Sequence, residues 1–153
     1  MTNKNLSSPV SSDENRYMVQ TNENRVKILM VDKTEKRKVL SLLLQCLSTD
    51  NDVFYNINEG NNELSIVADM CFEKYIKQLP CVYYPDIYRV IQIHEGCPGI
   101  DHIGTVSEIS SLFADINISI LYINTYNNNF ILIKEKDYTK GINALISIDY
   151  KIL

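Results

Sequence analysis

A chain of 153 residues with 45% hydrophobic content is long enough, and apolar enough, for one medium domain or two very small ones around a packed core. Its formal net charge of −4, with no basic cluster, argues against nucleic acid, whose binding draws on Lys and Arg neutralising phosphates. Cys46, Cys71, Cys81 and Cys97 stand far apart, with no C-x-x-C and no His at ligand spacing, so no zinc site, redox pair or other cofactor is encoded.

Residues 1–24 are rich in Ser, Asn, Thr and charge and are expected to form a disordered tail, since they carry too little apolar surface to offset the entropy of ordering. Neither a leader-like apolar run near the start nor a stretch of about 18 apolar residues occurs, so the expected compartment is the cytoplasm, without membrane contact.

The run VKILMV at 26–31 predicts a short strand. After a polar turn at 32–34, Val39, Leu42, Leu43, Cys46 and Leu47 recur at helical spacing and define one inward face. Strands are predicted at 53–58 and 63–68, joined by Glu59-Gly60-Asn61-Asn62, then a short helix over 71–78 that stops before Pro80 and a short strand at 81–84.

The same order then returns. A strand is predicted at 89–93, and Pro98-Gly99 forms a turn where Gly99 can take a positive φ. Asp101 is the expected N-cap of a helix whose inward stripe is Val106, Ile109, Ser110, Phe113 and Ile116. Strands follow at 118–123 and 130–134 across the polar run 124–129. Asp137 is placed to cap a last helix with Tyr138, Ile142, Leu145 and Ile146 on its apolar face, and 147–153 closes as an edge strand.

Corresponding elements recur about 65 residues apart, a self-similarity that predicts two βαββαβ units. The expected fold is α+β, with two tandem ferredoxin-like repeats packed side by side, the first over 25–86 and the second over 87–153. In such a pair the loop after a first strand meets the edge of a neighbouring sheet. Here that loop is 95–101, and its turn leads into a helix N-terminus, whose free N–H groups and dipole suit a carboxylate. An amino acid is one carrier of that group. The plainer alternative is that Gly96 and Gly99 only reverse the chain.

The segment NISILYINTYNNNFILIKE at 117–135, with the preceding helix of pattern G-x-V/I-x-x-I-x-x-x-x-A, resembles an ACT domain. More narrowly, NRVKILMV, ELSIVAD, Asn124-Thr125-Tyr126 and FILIKEKD together resemble, from residue 25 onward, the amino-terminal half of the CASTOR family of cytosolic arginine sensors, which regulate the TOR pathway. That family has four repeats, and this chain has two.

The resemblance implies a ligand site between repeats. Ser119 and Ile120 match its strand segment, while Asp101, His102, Gly104, Thr125, Tyr126, Asn128 and Asn129 occupy the facing loop, helix-start and turn positions. Since both sets lie in one repeat here, it implies a homodimer or a partner chain supplying further ACT repeats. Where the family's arginine-reading repeat has an acidic side chain this sequence has Asn129, and an amide cannot neutralise a guanidinium; arginine is therefore one candidate among amino acids.

Structural alternatives stand beside each assignment. Ser119 fits as a small sheet residue, Tyr122 and Tyr126 as packing residues, Asn127 to Asn129 as a hairpin turn, and His94 and His102 as structurally bonded histidines. The expected function is an amino-acid-binding regulatory sensor that is not an enzyme and signals through a protein interface. The alternatives are a ligand-free scaffold, or a detached regulatory subunit of a biosynthetic enzyme.

Overall fold

The structure is a computed structural model, and it describes residues 17–47, 53–95 and 103–153. The elements are β1 (Tyr17–Asp32), α1 (Lys36–Leu47), β2 (Tyr55–Glu59), β3 (Glu63–Asp69), α2 (Glu73–Ile76), β4 (Cys81–Tyr83), β5 (Tyr88–Glu95), α3 (Thr105–Asp115), β6 (Ile120–Asn124), β7 (Asn129–Lys134), α4 (Tyr138–Ser147) and β8 (Lys151–Ile152). Their order is βαββαβ twice over. Together they make a mixed α+β fold on one largely antiparallel sheet, ordered β2-β3-β1-β5-β7-β6, with β4 and β8 each joined to β1.

The 16-residue β1 is the member that both halves share. Its C-terminal part pairs with β3 from Val26↔Asp69 to Asp32↔Glu63, and with β4 at Leu29↔Tyr83 to Val31↔Cys81. Its N-terminal part pairs with β5 from Tyr17↔Glu95 to Thr21↔Ile91, and runs parallel to β8 at Met18↔Lys151 and Val19↔Ile152. A register shift between Thr21 and Arg25 separates the two parts, an irregularity of the kind that bends a strand and raises its local twist.

This corrects the expectation of a disordered tail over 1–24. Residues 17–24 are strand, and Val19 is fully buried. Their composition is poor in apolar residues, but β5 and β8 take the backbone hydrogen bonds on either side, so long-range pairing offsets the ordering cost that local composition cannot. The expected tail over 1–16 lies outside the described residues.

Strand alternation sorts the core into three clusters. On the helix side of the first half, Leu29, Val31, Leu64, Ile66 and Ala68 meet Val39 and Leu43 of α1 and Phe72 before α2. On the helix side of the second, Val19, Ile91, Ile93, Ile131 and Ile133 meet Ile109 and Phe113 of α3 and Leu145 of α4. The alternate residues Val26, Val67, Tyr88, Val90 and Leu132 form a third cluster that draws on both halves, joined by Phe54 and Phe130.

Two helix faces differ from expectation. In α3 the buried stripe is Thr105, Ile109 and Phe113, spaced by four, so Val106 turns outward at 47% exposure. In α4 it is Gly141 and Leu145, and Ile146 is exposed. The expected caps also shift: Gly104, at φ 104°, holds the N-cap position of α3 in place of Asp101. Asp137 does sit at the N-cap of α4 but makes no side-chain capping bond, because a 3-10 turn over Glu135–Asp137 already leads into the helix. The helix expected over 71–78 shortens to α2 because its first residues close a 3-10 turn, Met70–Phe72, capped by Asp69.

Both second-half helices end in one device. Asn117 and Asp149 adopt left-handed φ of 55° and 68°. The N–H of Ile118 returns to Phe113 O at 2.9 Å and that of Tyr150 to Leu145 O at 3.1 Å, closing the last turns and burying Ile118 and Tyr150 beneath them. This reversal leaves only Lys151–Ile152 as strand where an edge strand over 147–153 is expected.

Candidate ligand site

The second half gathers its irregular features at the C-terminal end of β5. The β6–β7 turn lies there, because Ile93 pairs with Asn129, and so does Gly104 at the start of α3. The turn is tied internally: Thr125 N–H donates to Asn128 O at 2.8 Å, Thr125 Oγ1–H donates to the same oxygen at 2.9 Å, and Asn128 N–H donates to Thr125 Oγ1 at 3.1 Å. Asn128 is also fixed from the sheet, since Gln92 Nε2 donates to its Oδ1 at 2.7 Å. Tyr126 at the tip is 85% exposed, which sets aside its alternative as a packing residue.

Gly104 needs its left-handed conformation to turn into α3, and it supplies no side-chain cap, so no N-cap side chain covers the first-turn N–H groups of the helix. Gln92 and His94 extend this polar end along β5, with His94 Nε2 lying 3.1 Å from Gln20 Oε1 of β1. Sequence reasoning missed Gln20 and Gln92; the period of two that places Val90, Gln92 and His94 on one face was the available signal.

Ser119 and Ile120 sit at the other end of β6, where Ile120 pairs with Ile133. Six residues of extended chain separate Ser119 from Thr125, about 20 Å. One copy of the chain therefore brings Gly104 and the 125–129 turn to one end of its sheet and does not bring Ser119 to them. The strand that Ser119 immediately precedes is last in the sheet order, and Ser119 is exposed. Gly99, Asp101 and His102 lie outside the described residues.

The corresponding end of the first half is closed by charge. Lys33 and Lys36 both reach Glu59, the former at 3.0 Å, and hydrogen bonds from Lys36 and then Lys33 hold the Glu59 carboxyl below its ordinary pKa. Asp32 caps the chain there by accepting from Thr34 N–H at 2.8 Å.

A cavity of about 580 Å³ opens at the β1 irregularity between the halves, lined in part by Asn22, Arg25, Val53 and Asp69. Its charges are largely engaged: Arg25 forks onto Glu135 with contacts of 2.8 and 2.9 Å, and Asp69 accepts from Asn24 at 2.8 Å. Among the described residues there is no group of three His, Cys, Asp or Glu that could hold a metal ion, and no helix is long and apolar enough to cross a membrane.

Residues 83–147 match the ACT domain. The matched segment runs from the end of β4 through α4, and so contains Gln92, His94, Gly104 and the 125–129 turn of the candidate end. No curated protein matches the sequence. Among solved structures, an Agrobacterium tumefaciens protein is similar at 19% identity and a TM-score of 0.67, over 90% of this chain and 92% of that one. A Vibrio cholerae protein of unknown function, described as a possible transport protein, is similar at 14% identity and a TM-score of 0.62, over 86% and 89%. The ligand-free regulatory subunit of aspartate kinase from Thermus thermophilus is similar at 7% identity and a TM-score of 0.60, over 86% and 95%. At these identities the likeness is one of fold.

Proposed function

We propose that this protein is an amino-acid-binding regulatory module without catalytic activity, built from two tandem ferredoxin-like ACT-type repeats that divide near residues 86 and 87 and acting in the cytoplasm. The observation that carries the reading is the coincidence of the ACT match with the polar end of the second sheet. The double βαββαβ order supports the repeats.

The ligand's α-carboxylate sits at the uncapped first turn of α3 beyond Gly104, the resemblance adds Gly99, Asp101 and His102 to its contacts, and the Thr125, Tyr126, Asn128 and Asn129 turn takes the ammonium and side chain. Ser119 and Ile120 come from a second copy or a partner chain, because about 20 Å of strand separates them from Thr125. A ligand touching both chains favours the assembly in which both sets of contacts exist, and this couples binding to a protein interface.

The narrower form of the reading, an arginine sensor in TOR-type nutrient signalling, rests on the sequence resemblance alone. A second reading, a detached regulatory subunit of an amino-acid biosynthetic enzyme, is favoured by the fold likeness across 95% of an aspartate kinase regulatory subunit. Copurification with such an enzyme separates the two. Calorimetric titration with the common amino acids, arginine first, tests the shared core. Binding in wild type that weakens in Asn128→Ala supports it, whereas no heat from any amino acid at millimolar concentration leaves a ligand-free scaffold.

A further inference from the structure

We propose that the first half carries a separate site for a small aromatic monocarboxylate, in a cavity of about 300 Å³ between β1, the start of α2 and β4. That volume lies at the lower end of those that hold small molecules, roughly 300–1,000 Å³. The cavity shares no residue with the proposed amino-acid site, and the inference does not rest on that function.

The walls set the shape of the ligand. Tyr83, Tyr84 and Pro85, consecutive in the chain, all line it, and Met70 adds a polarisable apolar contact. Tyr84 is 60% exposed, so a flat apolar body laid against it would remove ring surface from water.

The charges set its sign. Two acidic residues line the cavity and both are engaged: Asp69 accepts from Asn24 at 2.8 Å and from the Cys71 N–H at 3.0 Å, and Glu73 pairs with Lys77 at 3.1 Å. Lys27 is the exception. It is half-buried at the cavity, and no hydrogen bond or ion pair engages its ammonium among the described residues; nearby Asp86 is already bonded to Lys134 at 2.6 Å. A half-buried cation beside aromatic walls calls for one negative charge on an apolar body. A zwitterion fits less well, because its ammonium would find both Asp69 oxygens already accepting and Glu73 already paired with Lys77.

Phenylacetate is the probe, phenylacetamide its neutral counterpart, and amide resonances in two-dimensional NMR the readout. Phenylacetate is expected to perturb the amides of Met70, Tyr83 and Tyr84, to bind at least about tenfold more tightly than phenylacetamide, and to lose at least about tenfold in Lys27→Met. Lys27→Met keeps the apolar stem and so the packing. Tyr84→Ala, at an exposed position, provides a second variant expected to weaken binding. Equal affinity for acid and amide, an unchanged Kd in Lys27→Met, or perturbations confined to the second half would overturn the proposal. Amino-acid binding in Lys27→Met is expected to match wild type, so the two sites stand or fall separately.

Discussion

Phe54 and Phe130 meet edge to face across the two halves, with ring centroids 5.1 Å apart and planes at 67°. Phe54 precedes β2 and Phe130 lies in β7, so this contact joins outer parts of the sheet through the third cluster and not through backbone pairing. Both rings are half-buried, so Phe→Ala at either position is expected to cost about 2–3 kcal/mol, below the full core value. A double-mutant cycle read by urea unfolding should leave a coupling of about 0.5–1.5 kcal/mol. Additive losses would mean that the rings do not interact.

Gly141 is required by a close approach of helix to sheet. A Cβ there would lie 2.6 Å from Ile133 Cδ1 and 3.0 Å from Phe113 Cε1, both in fully buried side chains. Overpacking costs about 1–3 kcal/mol, against a helix-propensity gain of about 1 kcal/mol for Ala over Gly. Gly141→Ala is therefore expected to be destabilised by about 1 kcal/mol. Adding Ile133→Val, which removes the clashing methyl, should recover part of that loss. A variant more stable than wild type would show that α4 can lift without cost.

Most of the elements were legible in the sequence because the half-buried strands and amphipathic helices carry their periods openly. Ile131 and Ile133 alternate with Leu132 as a two-faced strand must, and Ile109 and Phe113 mark the inward face of α3. What stayed hidden was non-local. Val19 sits among Gln, Thr and Asn, and only pairing with residues more than 70 positions away makes it core. The helix phase failed at Val106 because α3 buries residues spaced by four, Thr105, Ile109 and Phe113, which turns Val106 outward. At the candidate end, the Thr125 to Asn128 turn was readable from its Asn run, whereas the Gln92 bond to Asn128 depends on register, which sequence spacing does not set.

The shared strand makes a direct prediction. A chain beginning at Arg25 loses the strand that lies between β5 and β8, unpairs one edge of β5 and removes Val19 from the second cluster. Such a truncation should lower the thermal midpoint and broaden hydrogen exchange across β5 and α4 while largely sparing β3. Unchanged exchange in β5 would mean that residues 17–24 add nothing to the second half.

Stability should fall in acid through identifiable pairs. Asp86 is held below its ordinary pKa chiefly by its hydrogen bond with Lys134, and Asp32 by the Thr34 hydroxyl and then its N–H. For a depressed carboxyl, the stabilisation is present above the unfolded value near pH 4 and is lost as pH falls through the lower folded value. Urea midpoints are thus expected to be flat from about pH 7 to 5 and to drop below about pH 4. In Asp86→Asn the midpoint at neutral pH should be lower and the acid slope shallower. An identical slope would assign the acid loss to other groups.

Asp149 holds a left-handed backbone at 68°, where a side chain costs about 1 kcal/mol relative to glycine, and it places a negative charge two residues beyond the C-terminus of α4. The helix already closes through Tyr150 N–H to Leu145 O, and that bond does not use the Asp149 side chain. Asp149→Gly should therefore keep the reversal and raise stability by about 0.5–1 kcal/mol. Asp149→Ala should lower it, since alanine tolerates this φ less well than aspartate does. Chemical denaturation of the pair separates backbone strain from charge, because both variants remove the carboxylate and only one relieves the strain. Equal gains in the two would assign the whole effect to the helix dipole.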